Sequence, residues 1–350
     1  MSVLGSDGRM MQLADMDRLE MNEWLAGIDP AAYRAAQVFR WIGRGAACFD
    51  DMTDLPRELR ARLASRAAVG IPEVVGRLCS ARDGTVKYVL KTADGNVVES
   101  VLMEYRHGFS VCVSSQAGCR MGCAFCASRP QGFARSLSPG EMFGQVAAVS
   151  RREKKSVGHV VVMGIGEPFD NYDGTLKFVR LLHEHEETNI GYRKVTISTS
   201  GILPGILRLS EEGLPIGLSV SLHASNDAVR ERLMPVNRKY SIDKLLEGCK
   251  IYTDRTKRRV TFEYALIAGV NDAPGDAREL ARRLRHMLCH VNLIPVNRTE
   301  DSGFRPSPKE RVRRFAELLS GGGVQTTVRR ELGSDIAAAC GQLRNTVVTQ

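Results

Sequence analysis

Three cysteines stand within eight residues, Cys119-Arg-Met-Gly-Cys123-Ala-Phe-Cys126, in the spacing C-x3-C-x2-C. Three thiolates so spaced can hold three irons of a [4Fe–4S] cubane. The fourth iron then has no protein ligand, and an open coordination position is what a catalytic metal centre requires. A structural zinc site takes a fourth Cys or His, often from a second C-x2-C pair, and the chain has no such second pair. Zinc, or a chance grouping of thiols, is the competing reading.

Other residues have types suited to ligand binding or chemistry. Gly164-Ile-Gly-Glu-Pro168 follows a strand pattern, and glycines there let a ligand approach the backbone. Taken alone, it reads equally as a turn. Ser198, Ser221 to His223, and Asn297 fall at or near the ends of later strand patterns, where they serve as ligand contacts or as turn caps. Cys48, Cys79, Cys249 and Cys289 suit the ordinary role of a small buried hydrophobe. Cys340 differs, because Ala-Cys-Gly-Gln is a small-residue context that permits an exposed loop.

The elements that must carry these residues are legible in outline. Helical patterns occupy residues from about 15 to 70, including Tyr33 to Ile42 and Leu55 to Ala64. The period then changes to two. Thr85 to Lys91 and Asn96 to Met103 flank Ala93-Asp94-Gly95 as a β-hairpin. After residue 110 strands and helices alternate. The strands are Val111–Ser115, His159–Met163, Lys194–Ser198, Ile216–Leu222, Arg259–Leu266 and His290–Pro295. Six βα units imply an α/β fold with a parallel sheet. Wrapped into a partial barrel, the sheet would carry its site at the C-terminal strand ends. A flat doubly wound sheet is the alternative. Asn297 to Pro308 reads as a surface loop.

Composition sets the class. Hydrophobic residues make up 43% and charged residues 25%, as in soluble globular chains. No apolar run approaches the roughly 20 residues that span a bilayer, and Met1 to Ala14 has no apolar signal core. A cytoplasmic setting with no membrane association is the expectation. There nine cysteines are not a disulfide scaffold. A net charge of +9 suggests a polyanionic partner. Basic runs at 230–239, 255–259, 282–285, 311–314 and 329–330 are candidates for gripping nucleic acid, or are solvated helix faces.

The cluster spacing, with Phe125 before its third cysteine, resembles the radical S-adenosylmethionine (SAM) superfamily. The surroundings resemble one branch of it, the RlmN/Cfr family of RNA adenine methyltransferases. Matching stretches are Tyr33-Arg-Ala-Ala-Gln-Val-Phe-Arg-Trp41, Asp51-Met-Thr-Asp-Leu-Pro56, Val98-Glu-Ser-Val101 and Cys112-Val-Ser-Ser-Gln-Ala-Gly118. Others are Met163-Gly-Ile-Gly-Glu-Pro168, Val195-Thr-Ile-Ser-Thr-Ser-Gly201, Ser221-Leu-His223 and Asn292-Leu-Ile-Pro-Val-Asn297. The last is Asp335-Ile-Ala-Ala-Ala-Cys-Gly-Gln-Leu343, so the likeness runs in order from about 30 to 343.

The resemblance implies a partial (β/α)6 TIM-like radical SAM barrel with an N-terminal helical accessory domain and a β-hairpin extension. The expected division is 1–84 (accessory, RNA-binding), 85–104 (hairpin), 105–334 (core) and 335–350 (a segment carrying the methyl-accepting cysteine). One [4Fe–4S] cluster on Cys119, Cys123 and Cys126 is implied, with SAM contacted by Gly166, Glu167, Ser198, Ser221, Leu222, His223 and Asn297. Cys340 would be methylated by a first SAM. A radical from a second SAM would remove hydrogen from that methyl group, whose carbon then adds to adenine. Two SAM are consumed per turnover. Glu99 would take the ring proton, and Cys112 would resolve the adduct through a transient disulfide. The implied partners are 23S rRNA, tRNA, and a flavodoxin or ferredoxin as reductant. RlmN-type members make 2-methyladenosine and Cfr-type members 8-methyladenosine. Pro168 and Ala117 resemble the former. Ser128-Arg-Pro-Gln131 and Arg135-Ser136 depart from the family pattern beside the site, which bears on substrate fit.

Overall fold

A computed structural model of the chain describes residues 10–297 and 303–344. The loop expected over 297–308 lies partly outside these residues, as do the outer ends of the first and last expected segments.

The N-terminal unit holds three helices, α1 (Arg18–Ala26), α2 (Tyr33–Gly43) and α3 (Arg57–Ala64). Asp17 and Glu20 close α1 with a reciprocal capping box. In α2 the buried residues Ala35, Val38, Phe39 and Ile42 fall on one face at helical spacing. Phe39 on that face reaches, through His185, the outer helices α4 (Pro139–Glu153) and α5 (Tyr172–Glu184). His185 is sandwiched there, 3.7 Å from the Phe39 ring and 4.4 Å from that of Phe143. Glu20–Lys177 and Asp51–Arg151 ion pairs, each 2.7 Å, flank the junction.

A ten-stranded sheet forms the rest of the core. Its strands are β1 (Glu73–Cys79), β2 (Val86–Lys91), β3 (Val97–Tyr105), β4 (Gly108–Val113), β5 (Val157–Val162), β6 (Val195–Thr199), β7 (Gly217–Ser221), β8 (Val260–Leu266), β9 (Cys289–Pro295) and β10 (Thr326–Val328). Every strand lies beside its sequence neighbour. β1 to β4 pair antiparallel, and β4 to β10 run parallel. Crossovers that all advance the same way put their helices on one face, which curls the sheet into a partial barrel. A doubly wound sheet needs a reversal of strand order, and none occurs.

Two sequence expectations are extended. The hairpin of residues 85–104 gains β1, making a longer antiparallel extension, and the six parallel strands gain a short seventh, β10. β1 reads poorly because its exposed and half-buried residues alternate on a sheet edge. β10 has only three residues.

Two other expectations are corrected. Cys48 and Cys79 are exposed, whereas Cys249 and Cys289 are buried as expected. Arg230, counted among the surface basic residues, is completely buried, and Arg329 lines a deep cleft. Many remaining basic residues already face acids: Arg238–Glu231, Arg255–Glu211, Arg283–Asp243 and Arg314–Glu317. No helix among the described residues is long and apolar enough to cross a membrane.

Candidate active site

The C-terminal ends of the parallel strands surround one deep cleft, enclosing about 1580 Å³ with its open mouth. Cys119, Cys123 and Cys126 line it from a loop pinned at several points. Two short strands, Gln116–Gly118 and Phe133–Ser136, pair at its base. The Cys119 N–H donates to the Gly132 carbonyl at 2.7 Å, and the Ala124 N–H to Leu233 at 2.8 Å. Arg120 ion-pairs with Asp170 at 2.9 Å while covering the Phe133 ring.

Burial pushes the Cys119 thiol up to about 11 and the Cys123 thiol higher still. Metal ligation reverses such a shift, because a coordinating thiol is deprotonated outright. Among the described residues no three Cys, His, Asp or Glu side chains converge to hold a single metal ion. In a cubane each cysteine takes a different iron. What that needs is three free thiols opening into one cavity, and these three do so.

Gly164-Ile-Gly-Glu167 follows β5 as expected, and its glycines are required by close packing. Gly166 has φ +109°, and a Cβ there would lie 2.7 Å from both Gln116 Cβ and Ser115 Oγ. The Glu167 carboxylate is buried, accepting from the Ser200 N–H at 2.6 Å and the Phe169 N–H at 3.0 Å. Desolvation raises its pKa, and no cationic side chain faces it closely enough for an ion pair among the described residues. The neighbouring Ser200 hydroxyl is buried with no well-formed hydrogen bond of its own and, with Thr199, lies close enough to Glu167 to favour its charged form. A carboxylate and a hydroxyl left in this state on a cavity wall fit a ligand bearing an ammonium group.

Ser198, Ser221 and His223 also line the cleft. His223 has φ +55°, its Nδ1 accepts from the Ala265 N–H at 2.9 Å, and its ring meets Phe125 edge-on. Burial lowers its pKa to about 3, so the imidazole is neutral. Leu222 is different, because its side chain is fully buried in the core and does not line the cleft. Asn297 lines the cleft, but its Nδ2 donates to the Cys340 carbonyl at 3.1 Å.

Cys112, on β4, and Cys340, from the chain end, both line this cleft. Both are free thiols, and burial, with Cys340 nearby, pushes Cys112 up to about 12. Glu99 on β3 does not line the cleft. Its carboxylate pairs with Lys87 Nζ at 3.1 Å and accepts the Arg344 N–H at 2.8 Å, beneath the C-terminal segment.

Several residues of the site escaped the sequence reading. Glu263 lines the cleft, held by the Ser219 hydroxyl at 2.7 Å and Asn292 Nδ2 at 2.8 Å. An acid inside the apolar run Val260–Leu266 was an available signal, as was Lys87 inside Val86–Leu90. Arg329 reads in the sequence only as part of a basic run, with nothing to set it in the site, yet it lines the cleft with Cys112 and Cys340.

A sequentially ordered half-barrel with a three-cysteine loop at its mouth defines a radical SAM protein, and the Radical SAM superfamily model matches residues 113–282. The model of the ribosomal RNA large subunit methyltransferase N-terminal domain matches 11–69. The crystal structure of a radical SAM methyltransferase from Sphaerobacter thermophilus superposes with a TM-score of 0.92 at 47% identity, covering 96% of this chain and all of that one. Among curated proteins, the probable dual-specificity RNA methyltransferase RlmN of Clostridium tetani is 44% identical over 97% of both chains. That of Desulforamulus reducens is 46% identical, again over 97% of both. The chain belongs to the RlmN family of radical SAM methyltransferases. Membership implies a [4Fe–4S] cluster and SAM.

Proposed function

We propose that this protein methylates adenine at C2, in 23S rRNA and in certain tRNAs, by a methyl-cysteine route. The observation that carries the reading is that Cys112 and Cys340, remote in sequence, open into the same cleft as the three cysteines of the loop. The RlmN names of the relatives favour C2 over the C8 alternative. A structural cluster in an RNA-binding assembly protein would leave Cys112, Cys340 and the Glu167 cradle without work.

Cys119, Cys123 and Cys126 would hold the cluster, which when bound supplies the electron that cleaves a SAM sulfonium. Glu167, with Gly166, would receive the SAM ammonium, and Ser198, Ser221, His223 and the backbone of Leu222 would bound the rest of that ligand. The Cys340 thiolate takes a methyl group from a first SAM. That methyl loses a hydrogen atom at the expense of a second SAM, and its carbon bonds to the adenine ring, after which the one electron left in excess on the adduct would return to the cluster. Glu99 accepts the ring proton. The Cys112 thiolate then attacks the Cys340 sulfur, breaking the sulfur–carbon bond; the bond's electron pair stays with the carbon, which takes up a proton to complete the methyl group, and a Cys112–Cys340 disulfide remains. Two electrons from a reducing protein such as flavodoxin or ferredoxin reopen it. The cytoplasm, where thiols stay reduced, suits this cycle. We assign RNA binding to residues 1–84 together with exposed basic side chains near the cleft.

Mass spectrometry of protein expressed with iron–sulfur machinery tests the route. A methyl group on Cys340, and RNA cross-linked to that residue in Cys112→Ala, are the expected results. Cluster-loaded protein with neither refutes it.

A further inference from the structure

The segment 333–344 crosses the cleft as a strap whose attachments are mostly polar. The Gly333 N–H donates to Asp83 at 2.9 Å, and Asp335 accepts from the Ser80 hydroxyl at 2.8 Å and the Ala81 N–H at 3.1 Å. On the far side, the Ala127 N–H donates to Gly341 at 2.8 Å, the Ser128 hydroxyl to Leu343 at 2.8 Å, and Asn297 to Cys340. Ser128 belongs to the stretch that departs from the family pattern, and here it secures the strap. Leu332, Ala338 and Leu343 supply the apolar contacts, packed near Val101, Met103 and Cys112.

Under the strap lies an ion pair almost free of solvent: the side chains of Lys87 and Glu99 are 8% and 2% exposed. Lys87 Nζ touches Glu99 Oε1 at 3.1 Å and also donates to the Ala337 carbonyl at 3.3 Å. Glu99 Oε2 accepts from the Arg344 N–H at 2.8 Å. The two ends of the pair therefore hold the strap on either side of Cys340. Buried ion pairs add little stability over apolar replacements of the same shape. The value of this one lies elsewhere.

We infer that Lys87 is a positioning residue that binds Glu99 and the Cys340 strap into one hydrogen-bonded latch. With the strap down, both Glu99 oxygens are engaged and the carboxylate is covered. When the strap lifts, the Arg344 N–H leaves, Oε2 is freed to accept a proton, and Lys87 still orients the carboxylate through Oε1. Exposure of the base is thereby tied to movement of the segment that carries Cys340. The inference rests on the reading of Glu99 as base.

The test compares Lys87→Met with Lys87→Arg in full-length protein. Without cluster or SAM, hydrogen–deuterium exchange of residues 333–344 and iodoacetamide alkylation of Cys340 should rise about tenfold in Lys87→Met, the loss expected for one charged hydrogen bond. Lys87→Arg should restore both. In reconstituted enzyme, Lys87→Met should lower kcat with KM for RNA unchanged, again rescued by arginine. Wild-type exchange and alkylation in folded Lys87→Met overturn the latch. Should that variant fail to fold, Lys87→Gln replaces it, and an unchanged kcat overturns the proposal. Full activity of Glu99→Gln would instead remove the base assignment, and the exchange data, which do not involve catalysis, would still report the latch.

Discussion

Arg230 offers a severe test of how the strand ends are held. Its guanidinium is wholly buried, and no acid lies within ion-pair distance among the described residues. It donates to the carbonyls of Ser200 at 2.7 Å, Ser221 at 3.1 Å, Leu222 at 3.2 Å and Tyr240 at 3.3 Å, and to Asn237 Oδ1 at 3.0 Å. Burial draws its pKa down to about 10, which leaves it charged at neutrality. Arg230→Met keeps much of the volume and removes every donor. At about 1 kcal/mol per orphaned acceptor the loss is roughly 5 kcal/mol, and relief from burying the charge returns part of it. The net expectation is about 3 kcal/mol, a large share of the ~5–15 kcal/mol typical of a domain. Arg230→Lys, with three donors, should lie between.

The assay is urea unfolding followed by far-ultraviolet circular dichroism. Tryptophan fluorescence would report the wrong region, since Trp24 and Trp41 lie in α1 and α2. In parallel, SAM affinity should fall at least tenfold, because the Ser200 N–H that holds Glu167 belongs to the strand end Arg230 secures. A loss under about 1 kcal/mol with unchanged SAM affinity would refute the reasoning.

Gly166→Ala should abolish SAM binding by equilibrium dialysis and cost at least about 2 kcal/mol in thermal unfolding, because φ is +109° and the new Cβ meets buried Gln116 and Ser115. His185 supplies a pH dependence. Burial lowers its pKa to about 3, against about 6.5 unfolded, so the unfolded chain binds the extra proton between these values. Its stabilising contribution is complete above pH ~6.5 and is lost as pH falls toward 3, by about 1.4 kcal/mol at pH 5.5. His185→Phe, which keeps the stack between Phe39 and Phe143, should flatten that part of the stability–pH curve.

The features settled by the sequence alone are those encoded over short distances. The C-x3-C-x2-C spacing, the glycines before Glu167 and the alternation of strands with amphipathic helices depend on neighbours a few residues away, so they read directly. Motif order also carried the family likeness from about residue 30 to 343, and the relatives align over 97% of the chain. Tertiary structure decided the rest. Neither Leu222 turning into the core nor Glu99 lying under the strap follows from strand-end position, since each depends on what packs against it. Arg230 and Arg329 look like surface charge in a basic chain, and only the fold shows the first buried and the second on the cleft wall. Lys87 and Glu99 meet Ala337 and Arg344 across 250 and 245 residues of chain, and contacts of that kind leave no local pattern because closure of the fold alone creates them.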